Sequence, residues 1–509
     1  MTQAPARRES GHESGNESGN ESSAATFESL SPATGEVVGV FSIHGEAEVR
    51  AAVERARTAA EWWAGLSFKD RKVYLNTWKA TITRRMPELA DLMHRETGKP
   101  RSDVMIEATL AVDHIAWAAG HAGKVLGRRR VSPGMLMVNQ AASVEYRPLG
   151  VVGVIGPWNY PIFTPVGSIA YALAAGNAVV FKPSEHSPAV GEWIGRTFNE
   201  CVGRPVLQVV TGLGDTGAAL CRSGVDKVAF TGSTGTGKKV MAACAETLTP
   251  VVIEAGGKDP LIVDADADVA AAADAALWGA CSNAGQTCAG VERVYVHERV
   301  YDEFVSEITR RAEGLSAHGG DDAKIGPITM PSQVGVIRRH IDDALARGGR
   351  ALVGGAQAVG ERFVQPTILV DVPEDSAAVQ EETFGPTVTI AKVRDMDEAV
   401  ELANGTSYGL GATVYSKDHG MAVAERIRSG MTAINGVVSF AAIPALPFGG
   451  VGDSGFGRIH GPDGLKEFTY AKAIARQRFK PALALTTFDR TEQTDRRLAR
   501  IVKTLHGRG

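Results

Sequence analysis

The sequence predicts an α/β protein: a doubly wound parallel sheet followed by a second α/β domain. Two observations carry that expectation. From Val151 onward, short apolar runs of the kind buried on both faces (Val151–Gly156, Ala178–Lys182, Leu207–Thr211, Lys227–Thr231, Val251–Ile253) alternate with helical patterns. After Gly257 the alternation restarts with Leu261–Val263, Gly290–His297 and a long helix over Glu298–Leu315, which marks a second domain.

The remaining elements follow in chain order. Residues 1–24 hold Gly-His-Glu-Ser and two copies of Gly-Asn-Glu-Ser, a low-complexity tail expected to be disordered. A short extended stretch runs to Phe41, then helical patterns span Glu46–Trp63 and Asp70–Thr97, the second stopped by Gly98-Lys99-Pro100. Between Val131 and Leu149 the pattern turns to strands (Met135, Met137, Val144, Tyr146), as in a projecting hairpin. The basic extension 480–509 holds a helical pattern from Glu492 to Leu505. The division is thus 25–129 with 149–256 as the first domain and 257–455 as the second.

Composition narrows the function classes. The 509 residues are 44% hydrophobic and 22% charged, enough for two large cores. A net charge of −4 gives no basic footprint for nucleic acid. Five cysteines, an odd number in a long chain, fit reduced thiols in a cytoplasmic protein. No run reaches the ~18 apolar residues of a membrane span.

Chemistry concentrates in three segments. Cys288 closes Asn283-Ala284-Gly285-Gln286-Thr287-Cys288, and Glu254 opens Glu254-Ala255-Gly256-Gly257-Lys258. A thiol of pKa ~8.5 is a few per cent thiolate at neutral pH, so a thiol nucleophile needs a lowered pKa or a proton acceptor. Glu254 is the candidate acceptor. In the third segment, Gly156-Pro157-Trp158-Asn159-Tyr160-Pro161, the prolines end the strand and leave Trp158 and Asn159 on a loop at its carboxyl end, where such sheets bind ligands.

These three segments, with Phe181-Lys182-Pro183-Ser184-Glu185, Phe230-Thr231-Gly232-Ser233-Thr234, Glu381-Glu382-Thr383-Phe384-Gly385-Pro386 and Pro447-Phe448-Gly449-Gly450, resemble the aldehyde dehydrogenase superfamily over residues 25 to 475, in family order. The resemblance implies a Rossmann-like NAD-binding domain, a catalytic domain and a small β oligomerisation arm, 130–148 with 469–479, in which Thr469–Arg478 looks like the strand that joins the arm of a neighbouring subunit in a homodimer or homotetramer. It implies oxidation of an aldehyde to the acid through a Cys288 thiohemiacetal and thioester, with the Asn159 amide and the Cys288 N–H holding the oxyanion. Glu254 would activate the water that releases the acid, and its presence favours hydrolysis over transfer to coenzyme A. No His, Cys and carboxylate cluster has metal-ligand spacing, so no metal is expected.

Two glycine-rich stretches are ambiguous. Gly212-Leu213-Gly214-Asp215-Thr216-Gly217 satisfies G-x-G-x-x-G, yet no acidic residue ends the next strand, where Gly232 stands. Gly232-Ser233-Thr234-Gly235-Thr236-Gly237-Lys238-Lys239 nearly reads as a P-loop but has Lys239 where Ser or Thr would hold magnesium. By resemblance, Gly214 lies beside the cofactor, and the turn from Gly232 to Gly237, with Ser233, opens the helix that faces the pyrophosphate. Ile155 and Trp158 join the cofactor set, Lys182 and Glu185 hold the adenosine ribose, and Glu382 and Phe384 hold the nicotinamide end. The Glu185 carboxylate favours NAD, with NADP possible.

The chain departs from the family pattern in two places. Gly457-Arg458-Ile459-His460-Gly461 has Ile459 where other branches carry a second Glu, and is closer to the class 3 and coniferyl-aldehyde branch. Gly167 stands where succinic-semialdehyde enzymes carry an Arg clamp. Tyr160, Phe163, Phe440 and Ile443 would instead line an apolar tunnel for medium-chain aliphatic or aromatic aldehydes. A semialdehyde substrate is the alternative, and a cysteine-dependent esterase or a non-redox nucleotide-binding protein is more distant.

Overall fold

The computed structural model describes residues 25–320, 322–483 and 485–507, so the tail assigned to 1–24 lies outside the described residues. The chain divides into two compact units, one of residues 25–125 and 148–469, the other of 126–147 and 470–507.

The first unit holds two large sheets. In one, parallel strands lie in the order Leu207–Val209, Ala178–Lys182, Val151–Ile155, Lys227–Gly232, Val251–Ala255, with Gly455–Phe456 antiparallel at the edge. Numbered by sequence, the five parallel strands run 3-2-1-4-5, the doubly wound order. The order reverses between Val151–Ile155 and Lys227–Gly232, so connections diverge there and open a crevice at the strands' carboxyl ends. In the other sheet Asp259–Val263 and Val291–His297 are central, flanked by Thr387–Val393 and Thr367–Val370 on one side and Thr413–Tyr415 and Ala433–Ile434 on the other. Antiparallel Arg350–Val353 closes one edge. Asp259 follows the Gly256-Gly257-Lys258 turn directly, so one short crossover joins the two sheets. The α/β, doubly wound class is therefore observed.

Departures from the expected elements have local causes. The pattern over Asp70–Thr97 is two helices, Phe68–Arg84 and Met86–Thr97. Pro87, in the first turn of the second, lacks the N–H that a continuous helix would need. Pro100 precedes a 26-residue helix, Arg101–Leu126, that the sequence reading did not anticipate. The long helix expected over Glu298–Leu315 is Tyr301–Ala312. In the second unit Arg129–Val131, Gln140–Pro148 and Thr469–Gln477 form a three-stranded sheet. Met135 and Met137, expected in a strand, form a 3₁₀ turn after Gly134, whose φ of 75° breaks extension.

Candidate active site

Asn159 follows the strand Val151–Ile155 and is buried. Its side-chain amide donates to the Gln286 carbonyl at 2.9 Å, and the Asn283 amide donates to the Asn159 carbonyl at 3.0 Å. The Asn159 loop and the Cys288 loop are therefore tied in both directions. The Tyr160 hydroxyl adds a bond to Thr287 Oγ1 at 3.0 Å.

The Cys288 loop leaves the helix Val269–Cys281 through three consecutive left-handed residues, Asn283 (φ 50°), Ala284 (φ 55°) and Gly285 (φ 71°). Gly285 packs so closely that a Cβ there would lie 2.1 Å from the Gly385 backbone. The Gln286 side chain fastens the turn: Oε1 accepts from Thr329 N at 2.8 Å and Nε2 donates to Asn283 O at 2.9 Å. Gly257 meets this loop directly, since a Cβ on it would lie 2.7 Å from the Cys288 carbonyl. Asn283, Gln286 and Gly257 hold the site in shape. For Asn283 and Gln286 the signal in the sequence is a polar pair inside an otherwise small-residue loop.

Glu254, on the strand Val251–Ala255, faces Cys288 and Thr231. Both of its carboxyl oxygens are buried and lack a hydrogen-bond partner among the described residues. Burial therefore lifts its pKa to about 7, only partly offset by Cys288 and Thr231. The Cys288 thiol is pushed well up, first by burial and then by the negative charge of Glu254. The two groups can share one negative charge but not carry two. Glu382 adds a third acid: its carboxyl accepts from Gly257 N at 3.1 Å, and burial raises it to about 8. Gly256 has no side chain because one would meet that carboxyl, at 2.1 Å from Oε1.

The Glu382 segment rests on a buried ion pair between Lys258 and Glu292, whose carboxylate accepts from Thr383 N (2.8 Å) and Phe384 N (3.0 Å). Phe384, at φ 51°, packs edge-on against Trp158 at 5.5 Å. A second buried pair, Lys99 with Glu107, supports the Asn159 loop: Glu107 accepts from Ile162 N (2.9 Å) and Phe163 N (3.1 Å), and the Lys99 ammonium sits 3.8 Å over the Tyr160 ring. The Lys258–Glu292 pair joins residues 34 apart, whereas Lys99 and Glu107 lie eight apart, across the entry to the helix Arg101–Leu126.

The other candidate cofactor residues ring the crevice. Ile155 is half-buried at the end of its strand. Lys182 ends the neighbouring strand, its ammonium 3.5 Å from Glu185. Burial lowers the Lys182 pKa, while burial of Glu185 is outweighed by the Lys182 and His186 charges. Gly214 begins the helix Gly214–Arg222. Gly232 ends its strand, exposed Ser233 caps the helix Thr234–Ala245 by accepting from Thr236 N, and Gly237 packs on Ile253 and Phe230. The exposed first turn of that helix, with a bare glycine strand end and a Lys–Glu pair two strands over, fits a dinucleotide.

Of the candidate substrate residues, Tyr160 flanks the Cys288 loop, while Phe163 and Phe440 meet around a pair of buried histidines. Phe163 lies 5.5 Å from the His460 ring, and Phe440 packs on Phe448, itself 5.5 Å from His460. His114 and His460 stand 3.9 Å apart, centroid to centroid. His114 Nε2 donates to the Ala441 carbonyl at 3.1 Å, and burial lowers its pKa to about 4, so the ring is neutral. Gly167 lies against His460, where a Cβ would come within 2.4 Å of Nε2. Ile443 is not gathered in: it stands 45% exposed.

Fold and site together define an open α/β enzyme of the dinucleotide-dependent class, with a cysteine and a carboxyl meeting at the junction of its two sheets. The family model for the aldehyde dehydrogenase family matches residues 20–474, and the chain belongs to that family. It is 36% identical over 452 residues to a 4,4'-diapolycopene aldehyde oxidase of Methylomonas sp, covering 87% of this chain and 84% of the relative. It is 35% identical over 457 residues to a glutarate-semialdehyde dehydrogenase of Pseudomonas putida, covering 88% and 94%. Among solved structures, an NAD-dependent aldehyde dehydrogenase from Sinorhizobium meliloti superposes with a TM-score of 0.87 at 32% identity, covering 92% and 95%. An NADP dependent enzyme of E. coli superposes at 0.85 with 34% identity, covering 89% and 95%. The protein is thus an NAD(P)-dependent oxidoreductase acting on aldehydes. No helix among the described residues is long and apolar enough to cross a membrane.

Proposed function

We propose that the chain oxidises apolar aldehydes, medium-chain aliphatic or aromatic, to carboxylic acids at Cys288, with NAD preferred over NADP. The observation that carries this reading is the unpartnered Glu254 carboxyl facing a Cys288 that keeps partial exposure. Glu254 takes the thiol proton as sulfur bonds to the aldehyde carbon. One N–H of the Asn159 amide is committed to Gln286, which fixes the amide plane and leaves the other N–H for the developing oxyanion, together with the Cys288 N–H. The bound nicotinamide supplies the hydride acceptor. Glu254 then gives up the thiol proton to solvent, draws a second proton from the water that attacks the Cys288 thioester, and returns it to the Cys288 sulfur as the C–S bond breaks and the acid leaves.

The cofactor set is Ile155, Trp158, Lys182, Glu185, Gly214, Gly232, Ser233, Gly237, Glu382 and Phe384, distributed over an NAD-binding domain of 25–129 and 149–256 and a catalytic domain of 257–455. The arm, 130–148 with 469–479, pairs subunits of a homodimer or homotetramer in the cytoplasm. Tyr160, Phe163 and Phe440 line the aldehyde's path. A neutral imidazole fills the space beside Gly167, where a semialdehyde's carboxylate would need a cation, which favours the apolar reading. The semialdehyde alternative rests on relatives such as the glutarate-semialdehyde enzyme.

The test is NAD(P)H formation at 340 nm from propanal, hexanal, benzaldehyde, coniferaldehyde and succinic semialdehyde, by wild type and Cys288→Ala. Turnover of the apolar aldehydes that vanishes in the variant is expected. Preference for succinic semialdehyde would reverse the substrate reading, and turnover surviving in the variant would reverse the mechanism.

A further inference from the structure

We propose that the C-terminal helix Glu492–His506 is an interfacial anchor that lies in the headgroup layer of an anionic lipid surface. The helix begins at a sound cap, the Thr491 hydroxyl accepting from Thr494 N. At 100° per residue, Leu498, Ile501, Val502 and Leu505 fall on one stripe, while Arg496, Arg500 and Lys503 fall on the opposite side and Arg497 flanks the stripe. Among the described residues nothing buries that stripe, Leu498 and Leu505 being only half-buried. No residue of the helix is buried, and Ile501 and Val502 are each 39% exposed. Two aromatic side chains ahead of it, Phe479 and Phe488, are also exposed, at 53% and 109%.

Charge names the partner. Residues 480–509 carry seven Lys and Arg against three Asp and Glu, in a chain whose net charge is −4. The helix's two acids are neutralised locally, Glu492 by Arg496 and Asp495 by Arg490, each at 2.9 Å. Arg497, Arg500 and Lys503 make no ion pair among the described residues, and so face outward as free cations. Four apolar side chains alone hold a surface weakly, and a cationic face alone is lost to salt. Together they form the two-part signal that interfacial helices use on phosphodiester headgroups. Pairing with the same helix of another copy fits less well, because fifteen residues give about two heptads, short of a stable coiled coil.

The experiment uses the full-length protein with vesicles of phosphatidylcholine, with or without one third phosphatidylglycerol, read by flotation. Binding to the anionic vesicles only, weakened by high salt, is expected. Each cation near the surface contributes about 5-fold, so the triple variant Arg497→Glu, Arg500→Glu, Lys503→Glu should bind at least ~100-fold more weakly. The double variant Ile501→Asp, Leu505→Asp should also release the protein. Both variants should turn over a water-soluble aldehyde at the wild-type rate, which shows that they are folded. Absence of binding by wild type at low salt would overturn the proposal, as would binding undiminished in the Ile501→Asp, Leu505→Asp variant. A fall in subunit number on gel filtration, with no vesicle binding by wild type, would reassign the helix to a subunit contact.

Discussion

Replacing Glu254 by Gln removes the titrating carboxyl that faces Cys288 and keeps its shape. In the wild type this carboxyl titrates at about 7 because burial outweighs the stabilisation that Cys288 and Thr231 give its charge. It is then roughly 9% ionised at pH 6 and roughly 91% at pH 8, so a step that needs the carboxylate should quicken about tenfold across that interval. The Gln variant should lose that rise and, at pH 8, about 10²–10⁴ of the rate, the range for a positioned general base. Stability gives a second readout. The folded pKa lies above the ordinary value of 4.5, so the folded state holds the proton more tightly. The carboxyl therefore costs nothing below pH ~4.5, costs progressively more up to pH ~7, and levels off at roughly 3 kcal/mol, an upper bound. The apparent Tm of Glu254→Gln should match wild type near pH 4 and exceed it increasingly toward pH 8. The assays are initial rates of NADH formation and thermal scans at fixed rate over pH 4 to 9. A wild-type rate flat from pH 6 to 8, a limb that survives in the variant, or a Tm gap that shrinks with rising pH would refute the reasoning.

Asn159→Ala should lower kcat by about 10²–10³ with little change in KM, since it removes a donor used when charge develops; a normal kcat would dismiss the oxyanion role. Gly167→Arg should not install a semialdehyde clamp, because even a Cβ there meets His460 Nε2 at 2.4 Å. The single variant is expected to be poorly folded, and His460→Gly added to it should restore folding; a well-folded Gly167→Arg enzyme with new activity on succinic semialdehyde would disprove the steric account. Gly285→Ala combines a positive φ of 71° with a Cβ 2.1 Å from the Gly385 backbone, so a loss of at least ~2 kcal/mol is expected, read as a lowered denaturant midpoint. An unchanged midpoint would mean the loop yields more easily than its packing implies.

The sequence alone determined the class of fold, because strands buried on both faces must read as apolar runs and the helices between them as amphipathic ones. It also singled out Cys288, Glu254 and Asn159, because glycine and proline around them leave a backbone that could do little else. The helix Arg101–Leu126 escaped notice, since Pro100 reads equally well as the end of one helix or the entry to the next. Other features belong to tertiary structure. The Lys258–Glu292 pair, the Asn159–Gln286 tie and the His114–His460 contact join residues that only folding brings together. Above all, the pKa of Glu254 depends on how completely neighbouring strands and loops exclude water from its carboxyl. Desolvation is a property of the packed volume around a side chain, and no local stretch of sequence records it.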